Sequence, residues 1–151
     1  MHSKKLAFWI FTIGVSTLVF GILGFIWWDR GALPGFKPEI VDVTIESVNW
    51  NNRGVRISGM ARHDVRIKQD VGGTVWYVYP LVPTNNMNTK IISVMIMTTV
   101  PPDKRATIEE RTIEGLAQPP GRLIGPEIFS SWRNAGYEFE DRITLVEEYI
   151  D

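Results

Sequence analysis

The chain of 151 residues contains two histidines, His2 and His63, and no cysteine. Thiolate catalysis, disulfides, zinc ribbons and iron–sulfur ligation are therefore excluded. A zinc or haem centre needs several ligands, and two histidines so far apart in sequence do not form one site, so no metal and no cofactor is expected. His63, Asp64 and the pair Ser130-Ser131 are the residue types of a base, an orienting acid and a nucleophile. No G-x-S-x-G elbow accompanies them and the serines fall on a short helical segment, so no catalytic residue is assigned and an enzyme is not expected. The carboxylates Glu138, Glu140, Asp141, Glu147, Glu148 and Asp151 read as a solvated strand face and C-terminus rather than a cation site.

The cationic residues are more suggestive. Arg53, Arg56, Arg62, Arg66 and Lys68 are expected to form a basic stripe on the outward face of one long strand, and Trp76, Tyr77 and Tyr79 follow close behind. Basic and aromatic side chains together on a strand face suit a partner protein, an anionic headgroup or an oligosaccharide. A formal net charge of −1 and a sequence pI near 6.1 argue against nucleic acid.

These residues need elements to hold them, and the first element places the chain in a membrane. Residues 6–28, LAFWIFTIGVSTLVFGILGFIWW, carry no charge. About 23 residues as a helix reach roughly 34 Å, enough to cross a hydrocarbon core of about 30 Å. Trp9 at one end and Trp27 and Trp28 at the other suit the headgroup boundary, and Lys4, Lys5, Asp29 and Arg30 close the span. The expected organisation is a short tail over 1–5, a single transmembrane helix over 6–28, a Pro/Gly tether over 29–38 and a β domain over 39–151. Two lysines on a very short tail predict an uncleaved signal anchor, with the N-terminus cytoplasmic and the domain extracytoplasmic or periplasmic. Ala7, Gly14, Thr17 and Gly21 form a small helix face that would let another transmembrane helix approach closely.

Beyond the tether, Val41, Val43 and Ile45 alternate with polar residues and the phase slips at Ser47 toward Val48 and Trp50, which predicts a strand with a bulge. From Val55 to Lys68 the odd positions are small or mostly apolar, whereas Arg56, Ser58, Arg62, Asp64, Arg66 and Lys68 are polar, which predicts one long strand bending at Gly59 around a small barrel. TVWYVYPLVP and KIISVMIMTT, apolar on both phases, predict central strands. Thr107 to Leu116 predicts a more polar strand, Pro126 opens a short helix with Ile128, Phe129 and Trp132 on one face, and Arg142 to Tyr149 predicts a last strand. The sum is about six strands and one helix, a mainly β, OB-like barrel.

The order of anchor, VRISGMA, YVYPLVP, an apolar strand ending in VPP, and RTIEGLAQPPG resembles the barrel domain of the SURF1 (surfeit-locus) family over roughly residues 53–122. That resemblance implies a SURF1-like barrel outside the membrane, equivalent barrel positions for Gly59 and Gly115, and the context of a haem–copper oxidase assembly factor. The expected role is a membrane-anchored, non-catalytic accessory subunit or assembly factor that meets the bilayer and larger integral membrane proteins. The alternative is a tethered barrel that binds an anionic or oligosaccharide ligand on its basic and aromatic face.

Overall fold

Val55, Ile57, Gly59 and Ala61 alternate with Arg56, Ser58 and Met60, and every one of the odd set is buried. In the computed structural model this stretch is strand β2 (Gly54–Arg62). The structure describes residues 38–50, 54–103, 105–121 and 123–149. The 6–28 segment with Ala7, Gly14, Thr17 and Gly21, the tether up to residue 37, and Arg53 lie outside the described residues. No helix among the described residues is long and apolar enough to cross a membrane.

Around β2 stand β1 (Ile40–Val43), β3 (Ile67–Val71), β4 (Thr74–Val82), β5 (Ile91–Thr98), β6 (Ile108–Gln118) and β7 (Glu138–Glu148), with helix α1 (Pro126–Asn134) between β6 and β7. The sheet runs β1-β2-β6-β7-β5-β4-β3, and β2 also pairs with β4, Met60 opposite Val82 and Ala61 opposite Leu81. That extra pairing closes β2, β6, β7, β5 and β4 into a five-stranded barrel, which removes the edges these strands would otherwise expose. Within the ring β5 and β7 are parallel and the other pairs antiparallel. β2, β4 and β5 follow one another and β6 returns beside β2, the 4-1-2-3 order of a Greek key.

Two apolar cores flank the barrel wall. The interior holds Ile45, Val55, Ile57, Ala61, Tyr79, Leu81, Val94, Ile96, Ile113, Ala117 and Val146. The outer core lies beneath α1 and holds Val78, Ile92, Met95, Met97, Ile124, Ile128, Trp132, Tyr137 and Leu145. β4 and β5 are therefore apolar on both faces, and β7 is buried on both over residues 144–146, because each face meets a different core. A register shift between Ile92 and Val94 lets these two, which share a phase, point into different cores. Pro126 starts α1 where its missing N–H costs nothing. Trp132 is buried on the helix's inner face and its Nε1 donates to the Val65 carbonyl at 2.7 Å.

Two glycines permit the closure. A Cβ on Gly115 would run into the Glu147 carbonyl and lie 2.8 Å from Val146 Cγ1; a Cβ on Gly59 would lie 2.7 Å from Ile45 Cδ1 and 2.8 Å from the Val82 carbonyl. Both sit where a neighbouring backbone crosses too closely for any side chain.

Two expectations are corrected here. The long strand over 55–68 is divided: His63–Val65 forms a 3-10 turn, so β2 ends at Arg62 and β3 starts at Ile67, giving seven strands among the described residues. The alternation survives the break because Val65 and Ile67 are still half-buried, but against the outer core. Residues 44–50 do not form a bulged strand. Thr44 and Ser47 bond each other's backbone and side chains, Thr44 N to Ser47 Oγ at 2.9 Å and Ser47 N to Thr44 Oγ1 at 3.2 Å. Such local bonds compete with a ladder and turn the chain. The turn inserts Ile45 into the barrel beside Gly59 and carries Trp50 across to donate from Nε1 to the Ile143 carbonyl at 3.0 Å.

Candidate functional site

The inward phase of β6 reads Glu109, Arg111, Ile113, Gly115, Ala117, of which Ile113 and Ala117 lie in the interior core. Extending that phase backward aims Arg111 and Glu109 into the same end of the barrel as His63 from the 3-10 turn after β2, Tyr79 from β4 and Glu148 from β7. The structure joins them. Arg111 Nη1 donates to the Tyr79 hydroxyl at 2.6 Å and Arg111 Nη2 to Glu148 Oε1 at 2.8 Å. His63 Nε2 lies 3.2 Å from Glu109 Oε2, and the His63 and Tyr79 rings meet edge to face with centroids 4.6 Å apart. Arg66 Nη1 donates to the His63 carbonyl at 3.1 Å, and Asp64 N donates to the Thr107 carbonyl at 2.9 Å.

This end of the barrel is thus stoppered by a charged cluster drawn from the 3-10 turn after β2 and from β4, β6 and β7. The Arg111 and Glu148 side chains keep 21% and 11% of their surface in solvent, whereas the His63 side chain keeps none. A carboxylate only accepts, so the His63 proton sits on Nε2 toward Glu109. Nδ1 is then buried without a partner. Burial pulls the imidazole below its ordinary range; Glu109 pulls it back up, while Arg111 and Arg66 depress it further. Burial likewise pushes the Tyr79 phenol up, so it stays a neutral hydroxyl.

The opposite opening is crossed by residues 44–50. A groove of about 380 Å³ lies on one side of that strap, between Asp42, Thr44, Glu46, Arg56, Ser58 and the Pro83–Asn85 loop. A second of about 280 Å³ lies on the other side, against Ile91, Ser93 and Glu140.

The residues expected to form one basic and aromatic surface are dispersed. Arg56 is exposed and held by Glu114 Oε1 at 2.7 Å and Asp42 Oδ1 at 3.2 Å. Arg62 is buried, not outward: it grips both oxygens of Asp64 at 2.8 and 2.7 Å and donates to the Met87 carbonyl at 3.0 Å. The same pairing holds the Asp64 carboxyl below its usual range. Arg66 caps the 3-10 turn, and Lys68 remains exposed on β3. Trp76 packs at the margin of the outer core, Tyr77 is half-buried opposite Lys68, and Tyr79 is fully buried in the barrel. Tyr79 therefore offers no stacking face to a ligand, and Arg62 no charge that Asp64 has not neutralised.

His63 stands at the inward position its phase predicts, and its hydrogen bond to Glu109 is the structural pairing expected of it. Ser130 Oγ donates to the Pro126 carbonyl of its own helix, and Asp64 is engaged by Arg62, so His63, Asp64 and Ser130 are each bonded elsewhere. Among the described residues no three metal-ligating side chains come together. Glu148, expected on a solvated strand face, is instead largely buried and bonded to Arg111, two residues along the inward phase from Val146. Glu109 and Arg111 have no place among the residues expected from the sequence; the signal for them is a charge on the inward phase of a strand anchored by Ile113 and Ala117. No known family, curated protein or solved structure matches this chain.

Proposed function

We propose that this chain is a membrane-tethered, non-catalytic accessory subunit or assembly factor, whose OB-like barrel is a rigid scaffold that docks on larger integral membrane proteins. The observation that carries the proposal is the way the barrel is filled. Fully buried side chains occupy its interior, Ile45 enters at one opening, and the His63–Tyr79–Arg111–Glu148 cluster stoppers the other. A small barrel packed in this way recognises other molecules with its outer surface. The Greek-key ring of five strands supports the OB-like reading, with the helix lying between the last two strands of the ring. The charge-free segment over 6–28 supports a permanent bilayer address, and the two lysines of the short tail before it support an extracytoplasmic domain. The resemblance to the SURF1 family makes the haem–copper oxidase system the first place to seek the partner.

The test is extraction of the tagged full-length chain from native membranes in mild detergent, followed by native mass measurement. The proposal expects an assembly that contains at least one other integral membrane protein in fixed proportion. Recovery only as this chain, whether single or self-associated, would count against it.

A further inference from the structure

The sheet leaves two open edges, the outer sides of β1 and β3. The β3 edge has a property that β1 lacks. Its sequence Ile67-Lys68-Gln69-Asp70-Val71 is its own complement when laid antiparallel on a second copy. About a two-fold axis through Gln69, Lys68 falls opposite Asp70 of the other copy and Ile67 opposite Val71, each pair twice over. β1, Ile40-Val41-Asp42-Val43, carries an acid and no base and offers no such match.

The local structure leaves β3 ready for this. Its register with β4 is unbroken from Ile67 opposite Val78 to Val71 opposite Thr74, with neither bulge nor proline to guard the free side. Among the described residues its backbone bonds only to β4. Lys68 is exposed and has no hydrogen-bond or ion-pair partner among the described residues, although Asp64 and Asp70 are near it in sequence. Asp70 is exposed and gives one oxygen, Oδ1, to Gly73 N at 2.9 Å across the hairpin turn, which fixes the carboxylate at the strand end. Val71, 43% exposed, is an apolar side chain left in water at the end of this edge.

We infer that β3 is a self-association edge: two copies of this chain pair β3 to β3 antiparallel and form one continuous sheet, with reciprocal Lys68–Asp70 ion pairs setting the register. Main-chain bonds supply the attraction, and the cross-strand charges select the two-fold partner. The interface is isologous, so each substitution acts twice in the pair.

The experiment uses the full-length chain in mild detergent, followed by sedimentation and native mass across concentrations up to roughly 0.1 mM. The wild type is expected to form a dimer. Lys68→Asp and Asp70→Lys, each turning attraction into repulsion at two symmetric places, should each weaken self-association by about tenfold or more. An equimolar mixture of the two variants should form a heterodimer, because each then meets the opposite charges, and the double variant Lys68→Asp/Asp70→Lys should dimerise again. Asp70→Lys also removes the Gly73 contact, so unfolding temperatures are recorded for every variant. If that hairpin loosens, Lys68→Asp against Lys68→Arg carries the comparison. A wild type that stays monomeric over the whole range, or a dimer indifferent to charge reversal at Lys68, overturns the inference.

Discussion

Replacing Arg111 by Met tests whether the charged stopper holds the barrel mouth together. Met keeps the aliphatic stem but removes both donors, so the Tyr79 hydroxyl loses its 2.6 Å partner and Glu148 its 2.8 Å partner. Breaking a fully buried pair by removing one member costs about 3–5 kcal/mol. The Arg111 and Glu148 side chains retain 21% and 11% of their surface in water, which lowers that figure. With solvent screening and the lost Tyr79 bond taken together, the expected cost is about 2–3 kcal/mol, or roughly 10 °C in melting temperature for a domain of this size. The double variant Arg111→Met/Glu148→Met, which leaves no unpaired carboxylate, should recover at least about 1 kcal/mol of the sum of the two single losses. Thermal and urea unfolding of the full-length chain in detergent, followed by tryptophan fluorescence, gives all four corners of the cycle. An Arg111→Met variant within about 0.5 kcal/mol of wild type, or two losses that simply add, would refute the reasoning.

Three further outcomes follow from the same structure. His63 binds its proton less readily folded than unfolded, so below its unfolded pKa near 6.5 the unfolded chain takes up a proton the fold resists. Stability is therefore full above that pH and falls as pH drops through 6.5 toward the lower folded value; the urea midpoint should decline between pH 7.5 and 5.5 more steeply in wild type than in His63→Gln, and equal slopes would contradict the assignment. Gly115→Ala drives a Cβ into the Glu147 backbone and should cost about 1–3 kcal/mol, more than Gly59→Ala, whose Cβ would meet the movable end of Ile45 at 2.7 Å and the Val82 carbonyl less closely, at 2.8 Å; the reverse ranking in thermal melts would argue against the crossing at Gly115. Trp132→Phe keeps most of the buried ring but leaves the Val65 carbonyl without its donor, at a cost of about 1–3 kcal/mol, and hydrogen exchange should quicken first in the 63–67 turn and α1.

Strand phase makes most of the barrel legible in the sequence. Val55, Ile57, Gly59, Ala61 and His63 are all buried as their alternation predicts, and Pro126 and Gly136 bracket the helix. Phase tells buried from exposed, however, and not which core does the burying. Val65 and Ile67 continue the pattern while facing the outer core, so the break at the 3-10 turn leaves no mark in the alternation. β4 is apolar on both phases, so its two faces cannot be told apart in the sequence and Tyr79, buried in the barrel, looks no different there from a surface residue. Arg62 lies on the polar phase, yet Asp64 two residues on supplies a partner close enough to bury it. A Thr–Ser turn and a bulged strand present the same apolar spacing over residues 44–50; the side-chain bonds between Thr44 and Ser47 decide between them.

The proposed membrane address rests on residues 6–28, and alkaline washing of native membranes probes it directly. Retention of the intact, full-length chain in the washed bilayer is the expected result. Release of the same intact chain into the aqueous supernatant would contradict it.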